Sequence, residues 1–195
     1  LPGGCAIGTR PVDLHLFALK KLGARIKIKD GYIIAEAKRG LIGTKVKFPS
    51  VSVGATENAL LAAYGADGTT ILSNCAIEPE ILDLIKFLKK LGCVIKISGR
   101  RITIKSKKRK KIKINHKIIF DRIEAGTYLV AGTLIGKKIV IKKIEPKLIN
   151  CETNILKKMG ARIIKSKNSI TILKTTKLRR INITTKPYPG FPTDL

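Results

Sequence analysis

Tryptophan is absent from this chain, and aromatic residues make up only 5% of its 195 positions. Packing therefore falls to Ile, Leu and Val. With 44% hydrophobic content the chain is long enough to bury a sizeable core, or two small ones. Long apolar runs are also missing. No stretch approaches the roughly 20 consecutive apolar residues that a membrane-spanning helix needs. No secretory signal is visible. The chain opens without Met on a Pro-Gly-Gly turn and stops at "FPTDL", so both ends read as cut.

Acidic residues are scarce, 13 against 40 Lys and Arg, for a net charge of +27. Such a charge suggests nucleic acid. Its distribution argues otherwise. Lys alternates with Ile in "ARIKIKD", "RITIKSKK" and "KKIVIKK", the pattern of a half-buried sheet with a basic solvent face. The one dense run, Lys105–Lys113, has no interleaved aromatics to stack bases.

Cysteine is sparse: Cys5, Cys75, Cys93 and Cys151. No C-x-x-C pair and no His at ligand spacing is present, so neither metal nor cofactor is expected. Reduced thiols in a cytoplasmic protein are the simplest reading. Cys75, Cys93 and Cys151 sit in apolar settings and are expected in the core.

What is abundant is repetition. "LFALKKLGARIKIKDGYIIAEA", "LIKFLKKLGCVIKISGRRITIKS" and "TNILKKMGARIIKSKNSITILKT" share one order: helix end, Gly, strand, turn, strand. The marker glycines, Gly23, Gly92 and Gly160, recur about every 68 residues. Ile81, Leu84, Ile85 and Leu88 predict one apolar helix face. Gly92 predicts a left-handed helix end. Ile95, Ile97, Ile102 and Ile104 predict a hairpin around Ser98-Gly99. Upstream, "DGTTILSNCAIEPEI" matches "GKKIVIKKIEPKL", and "VGATENALLAAYG" matches "EAGTYLVAGTLIG". First strands of successive units are expected at Lys45–Phe48, Lys113–Ile114 and Ile181–Ile183. The unit is β-α-β-α-β-β, an α/β (α+β) class, and several units must pack together to cover their helices.

Departures from the repeat are where function is sought. Second helices open on Glu78-Pro79 and Glu145-Pro146, with Pro in the first turn and a carboxylate beside the positive helix end. The first unit instead has Arg10-Pro11. A cation there opposes the helix dipole unless an anion docks beside it. The preceding segment, "LPGGCAIGT", predicts an open glycine loop around Cys5, whose thiol nearby Arg10 could make reactive. An inert loop cysteine and a solvated Arg are the competing readings.

"LPGGCAIGTRPVDLH" resembles the catalytic-loop signature of the enolpyruvyl transferases, in the branch of the UDP-N-acetylglucosamine 1-carboxyvinyltransferases. "VSVGATEN", "EPEILD", "DRIEAGTYLVAG" and "PYPGFPTDL" resemble further landmarks in the same order. The similarity runs the length of the chain, and the cysteine loop separates this branch from the 3-phosphoshikimate enzymes. The resemblance implies an inside-out α/β barrel of repeated units in two domains. Residues 1–119 would be most of a lid-bearing domain and 120–195 the start of a second, with the junction near Phe120.

It also implies a reaction: transfer of the enolpyruvyl group of phosphoenolpyruvate to the 3′-hydroxyl of UDP-N-acetylglucosamine, releasing phosphate. Cys5 would be the lid cysteine that donates a proton and reacts with the epoxide fosfomycin. Arg10 would hold substrate anions. Pro11, Val12, Asp13 and Leu14 would wrap the uridine. Ser50, Val51, Ser52, Val53 and Gly54 would form the diphosphate loop, and Asp194 would be the base near the sugar hydroxyl. Ser50 stands where the family usually has Lys, which weakens that contact. A Lys-Asn pair that grips phosphoenolpyruvate would lie upstream of Leu1, so the 195 residues alone are expected to be inactive and marginally stable. Small-molecule substrates and a monomer are the expected partners. A basic nucleic-acid-binding repeat protein and a non-catalytic paralogue are the alternatives.

Overall fold

The computed structural model describes residues 11–106, 113–135, 138–175 and 177–195. The chain divides into two compact units, Leu1–Lys117 and Ile118–Leu195.

In the first unit, helix α1 (Asp13–Lys21) leads to the hairpin β1 (Arg25–Lys29) and β2 (Tyr32–Glu36). Short strands β3 (Leu41–Ile42) and β4 (Lys45–Lys47) precede α2 (Val53–Gly65), β5 (Ala66–Asp67) and β6 (Thr69–Ser73). Helix α3 (Pro79–Lys90) and the hairpin β7 (Val94–Ser98) and β8 (Arg101–Lys105) complete it. The main sheet has the order β4-β6-β8-β7, with β4 parallel to β6 and the other pairs antiparallel. Its core joins Val46 and Phe48 to Ala55, Ala59 and Leu60 of α2, Ile81, Ile85 and Leu88 of α3, and Ile102 and Ile104 of β8. Helix α2 offers mostly alanines to its neighbours, so other elements approach its backbone closely.

The second unit runs α4 (Arg122–Ile135), β9 (Ile139–Lys142), a 3-10 turn (Pro146–Ile149), α5 (Asn150–Met159), β10 (Arg162–Ser166) and β11 (Ser169–Leu173). Asp121 caps α4: its Oδ1 accepts from the N–H groups of Ile123 and Glu124 at 2.8 and 3.1 Å. The sheet order is β10-β11-β9, and Leu129, Ile149, Ile170 and Ile172 are fully buried on it.

The marker glycines do what the repeat predicts. Gly23, Gly92 and Gly160 have φ of +99°, +94° and +108°. Each closes its helix with the same two bonds: Gly92 N donates to Lys89 O and Cys93 N to Leu88 O, with matching pairs around Gly23 and Gly160. This is the Schellman ending, which needs a left-handed residue. A Cβ at Gly92 would meet nothing within 4 Å, so Gly92→Ala isolates the backbone cost. We expect a loss of about 1–2 kcal/mol in denaturant unfolding. An unchanged midpoint would show that the left-handed ending is not required.

Five expectations are corrected. Lys113–Ile114 forms no strand. This stretch is committed to α3 instead: Lys90 Nζ donates to Asn115 O at 2.8 Å, and His116 lies 3.1 Å from Asp83 and edge-on to Phe87. Ile181–Ile183 is likewise not a strand. The nearby backbone is tied at Arg179 N to Met159 O, and among the described residues it forms an isolated bridge at Thr185–Phe191. Ile97 is 41% exposed: it lies one residue before the end of β7, close to the two-residue turn Gly99-Arg100. The hairpin β1-β2 is not half-buried: Ile28 and Ile34 are 60% and 50% exposed, since it forms a two-stranded sheet of its own. Cys151 is only partly buried, near the start of α5, whereas Cys75 and Cys93 are core residues. Burial pushes the Cys75 thiol up to about 12, which keeps it unreactive near neutrality.

Candidate active site

Two of the sequence-derived segments come together in the first unit. Helices α1 and α2 pack along each other, which sets residues 11–15 beside 50–58. Ser52 is the N-cap of α2. Its Oγ accepts from Ala55 N at 3.3 Å, and Thr56 Oγ1 donates to Ser52 O at 2.7 Å. Thr56 Oγ1 in turn accepts from Ala76 N at 3.0 Å, which ties this turn to the loop before α3. The cap leaves the N–H groups of Val53 and Gly54 without intrahelical acceptors, as in any first helical turn. They suit a phosphate.

Leu14, Val51 and Val53 pack their side chains against the core. What these positions can offer a ligand is backbone. Pro11, Asp13 and Ser50 are exposed, and Val12 precedes the first turn of α1 as its N-cap.

Three neighbours were not singled out from the sequence: His15, Glu57 and Asn58. Asn58 Nδ2 lies 3.1 Å from His15 Nδ1. A Cβ on Gly54 would stand 3.2 Å from His15 Cε1 and 3.3 Å from Nε2, so the imidazole edge rests on the Gly54 backbone. Burial pushes the Glu57 carboxyl up, the charge of Glu80 adds to that, and His15 opposes it. His15 could have been found, being one of only two histidines and closing the "RPVDLH" motif. Nothing in the local sequence pointed to Asn58.

In the second unit, Asp194 lies exposed in a turn whose flanks are anchored. Phe191 is buried, and its carbonyl accepts from Lys186 N at 2.9 Å. Leu195 packs so closely on α4 that a Cβ on Gly126 would stand 2.5 Å from its Cδ1. The carboxylate is thus presented to solvent from a fixed backbone. Cys5 and Arg10 lie outside the described residues. No described helix is long and apolar enough to cross a membrane.

The family model for EPSP synthase (3-phosphoshikimate 1-carboxyvinyltransferase) matches residues 1–195. The chain belongs to this family. Among curated proteins it is 56% identical over its whole length to a UDP-N-acetylglucosamine 1-carboxyvinyltransferase of Pelagibacter ubique, covering 47% of that protein. It is 49% identical to the protein of that name from Vesicomyosocius okutanii, again over the whole chain and 46% of the relative. The chain therefore spans about half the length of the curated relatives it matches. Among solved structures, the enolpyruvyl transferase NikO of Streptomyces tendae aligns over 94% of this chain and 47% of its own, with TM-score 0.79 and 22% identity. An EPSP synthase from Acinetobacter baumannii aligns over 93% of this chain and 44% of its own, with TM-score 0.66 and 21% identity. These two likenesses bear on the fold, and it is the enolpyruvyl transferase fold that the resemblance implies.

Proposed function

We propose that the protein transfers the enolpyruvyl group of phosphoenolpyruvate to the 3′-hydroxyl of UDP-N-acetylglucosamine. This is the first committed step of peptidoglycan precursor synthesis. The observation that carries the reading is the 56% identity, across the entire chain, to a protein named for that activity.

The chemistry is addition followed by elimination. The sugar hydroxyl adds to C2 of phosphoenolpyruvate while the methylene carbon gains a proton, giving a phosphate-bearing ketal. The new methyl group then loses a proton, the C–O bond to phosphate breaks, and phosphate leaves. Cys5 is assigned the proton delivered to the methylene, and Asp194 the proton taken from the hydroxyl. Arg10 is assigned the substrate anions, Pro11–Leu14 the uridine, and the turn at Ser50–Gly54 the diphosphate. The free N–H groups and positive end of α2 support that last assignment. Both substrates are intracellular small molecules, and a cytoplasmic monomer is the form proposed.

Phosphate release by the intact protein tests the reading. We expect release only when both substrates are present. We also expect fosfomycin to leave its adduct on the peptide carrying Cys5, read by mass spectrometry. A protein that releases no phosphate from the complete mixture sinks the proposal. An adduct on another residue sinks the assignment of Cys5.

A further inference from the structure

The contact between α1 and α2 does more than join two helices. His15 Nδ1 faces Asn58 Nδ2 at 3.1 Å, and an amide NH₂ can only donate. The ring nitrogen must accept, which places the single proton of a neutral imidazole on Nε2. That nitrogen is the one beside Gly54, in the first turn of α2, and it has no hydrogen bond to any described residue. The result is a third N–H beside the same turn as the free backbone groups of Val53 and Gly54. A side chain at Gly54 would press on the ring, because the nearest ring atoms stand 3.2 and 3.3 Å from the Cβ position.

We propose that Asn58 is a positioning residue of this site: by occupying Nδ1 it holds His15 as the Nε2–H tautomer, so that His15 donates to an anionic oxygen of the ligand seated over Val53 and Gly54. The ligand class rests on the reading above, a nucleoside diphosphate sugar bound through its diphosphate. The charged group that faces His15 from α2 is Glu57, and Glu80 of α3 acts on Glu57 in turn. Asp13 on α1 itself and the basic residues of β1 and β4, which also pack on α1, are exposed.

Replacing Asn58 by Asp makes the inference testable. A carboxylate can only accept, so it draws the single proton of the neutral ring to Nδ1 and leaves Nε2 without one. We therefore expect the KM of the Asn58→Asp protein for UDP-N-acetylglucosamine to rise roughly tenfold to a hundredfold, the range for a lost hydrogen bond to a charged group, with kcat changing far less. An unchanged KM overturns the proposal. A fold-only role for Asn58 predicts no such split between KM and kcat.

Histidine-selective ¹⁵N NMR on the ligand-free intact protein reads the tautomer without any assumption about substrate. An Nδ1–H signal for His15 overturns the proposal by itself. A His15 signal that does not move when UDP-N-acetylglucosamine binds also overturns it. Failure of the wild-type protein to bind that nucleotide sugar overturns the underlying function instead, and takes the ligand half of the proposal with it.

Discussion

Asp194→Asn in the intact protein lowers kcat for phosphate release by roughly 10²–10⁴-fold, the range for removal of a general base. The substitution is close to isosteric and alters a side chain that is already exposed. Phe191 in the core and Leu195 on α4 keep the backbone in place on either side. Stability should stay within about 0.5 kcal/mol of wild type, as for other surface changes. The loss should therefore fall on kcat and much less on either KM, the signature of an interaction made in the transition state. Steady-state kinetics with both substrates, beside a denaturant titration, separates the two effects. A near-wild-type kcat would remove Asp194 from the mechanism.

Phe48→Ala unfolds the first unit more easily, by about 3–5 kcal/mol. Phe48 is 1% exposed and is among the largest fully buried side chains. Truncation leaves a cavity that the surrounding elements cannot readily close. Phe48 N donates to Ser73 O at 3.0 Å, and its carbonyl accepts from Asn74 Nδ2 at 3.0 Å, so the backbone is held to the end of β6. Such a loss is a large share of the roughly 5–15 kcal/mol that stabilises an ordinary domain. Phe48 also stands directly before Pro49 and the turn at Ser50–Gly54. Weaker nucleotide-sugar binding should accompany the instability. The test is the shift in urea midpoint at constant slope. A loss below about 1 kcal/mol would contradict a closed core at this position. Phe48→Leu, which keeps most of the apolar volume, should cost much less.

Much of the fold is legible in the sequence because its signals are local. A left-handed helix ending favours Gly, so the spacing of Gly23, Gly92 and Gly160 is enough to mark three equivalent helix ends. Asp30-Gly31 shows the same economy: both residues have positive φ, at 51° and 77°, and they turn β1 into β2. Alternation is a weaker guide. It describes β8, where Ile102 and Ile104 are buried between exposed ends, yet it fails for the equally regular β1. A pattern of period two says which residues share a face. It does not say whether anything covers that face.

The candidate site divides the same way. Ser52 before an apolar run is a readable helix cap, and Asp194 stands out through its motif. The contact of His15 with Asn58 spans 43 residues and depends on how α1 packs on α2. The loss of a strand at Lys113–Ile114 depends equally on distant partners, since α3 claims Asn115 and His116.

The sequence by itself determined the recurring order of helix, glycine and hairpin and its glycine-marked helix ends, because each rests on backbone conformation or on a run of neighbouring residues. Only the tertiary structure decided which hairpin is covered, where the second repeat loses its first strand, and which nitrogen of His15 faces Gly54. Those outcomes follow from side chains far apart in the chain competing for the same partners.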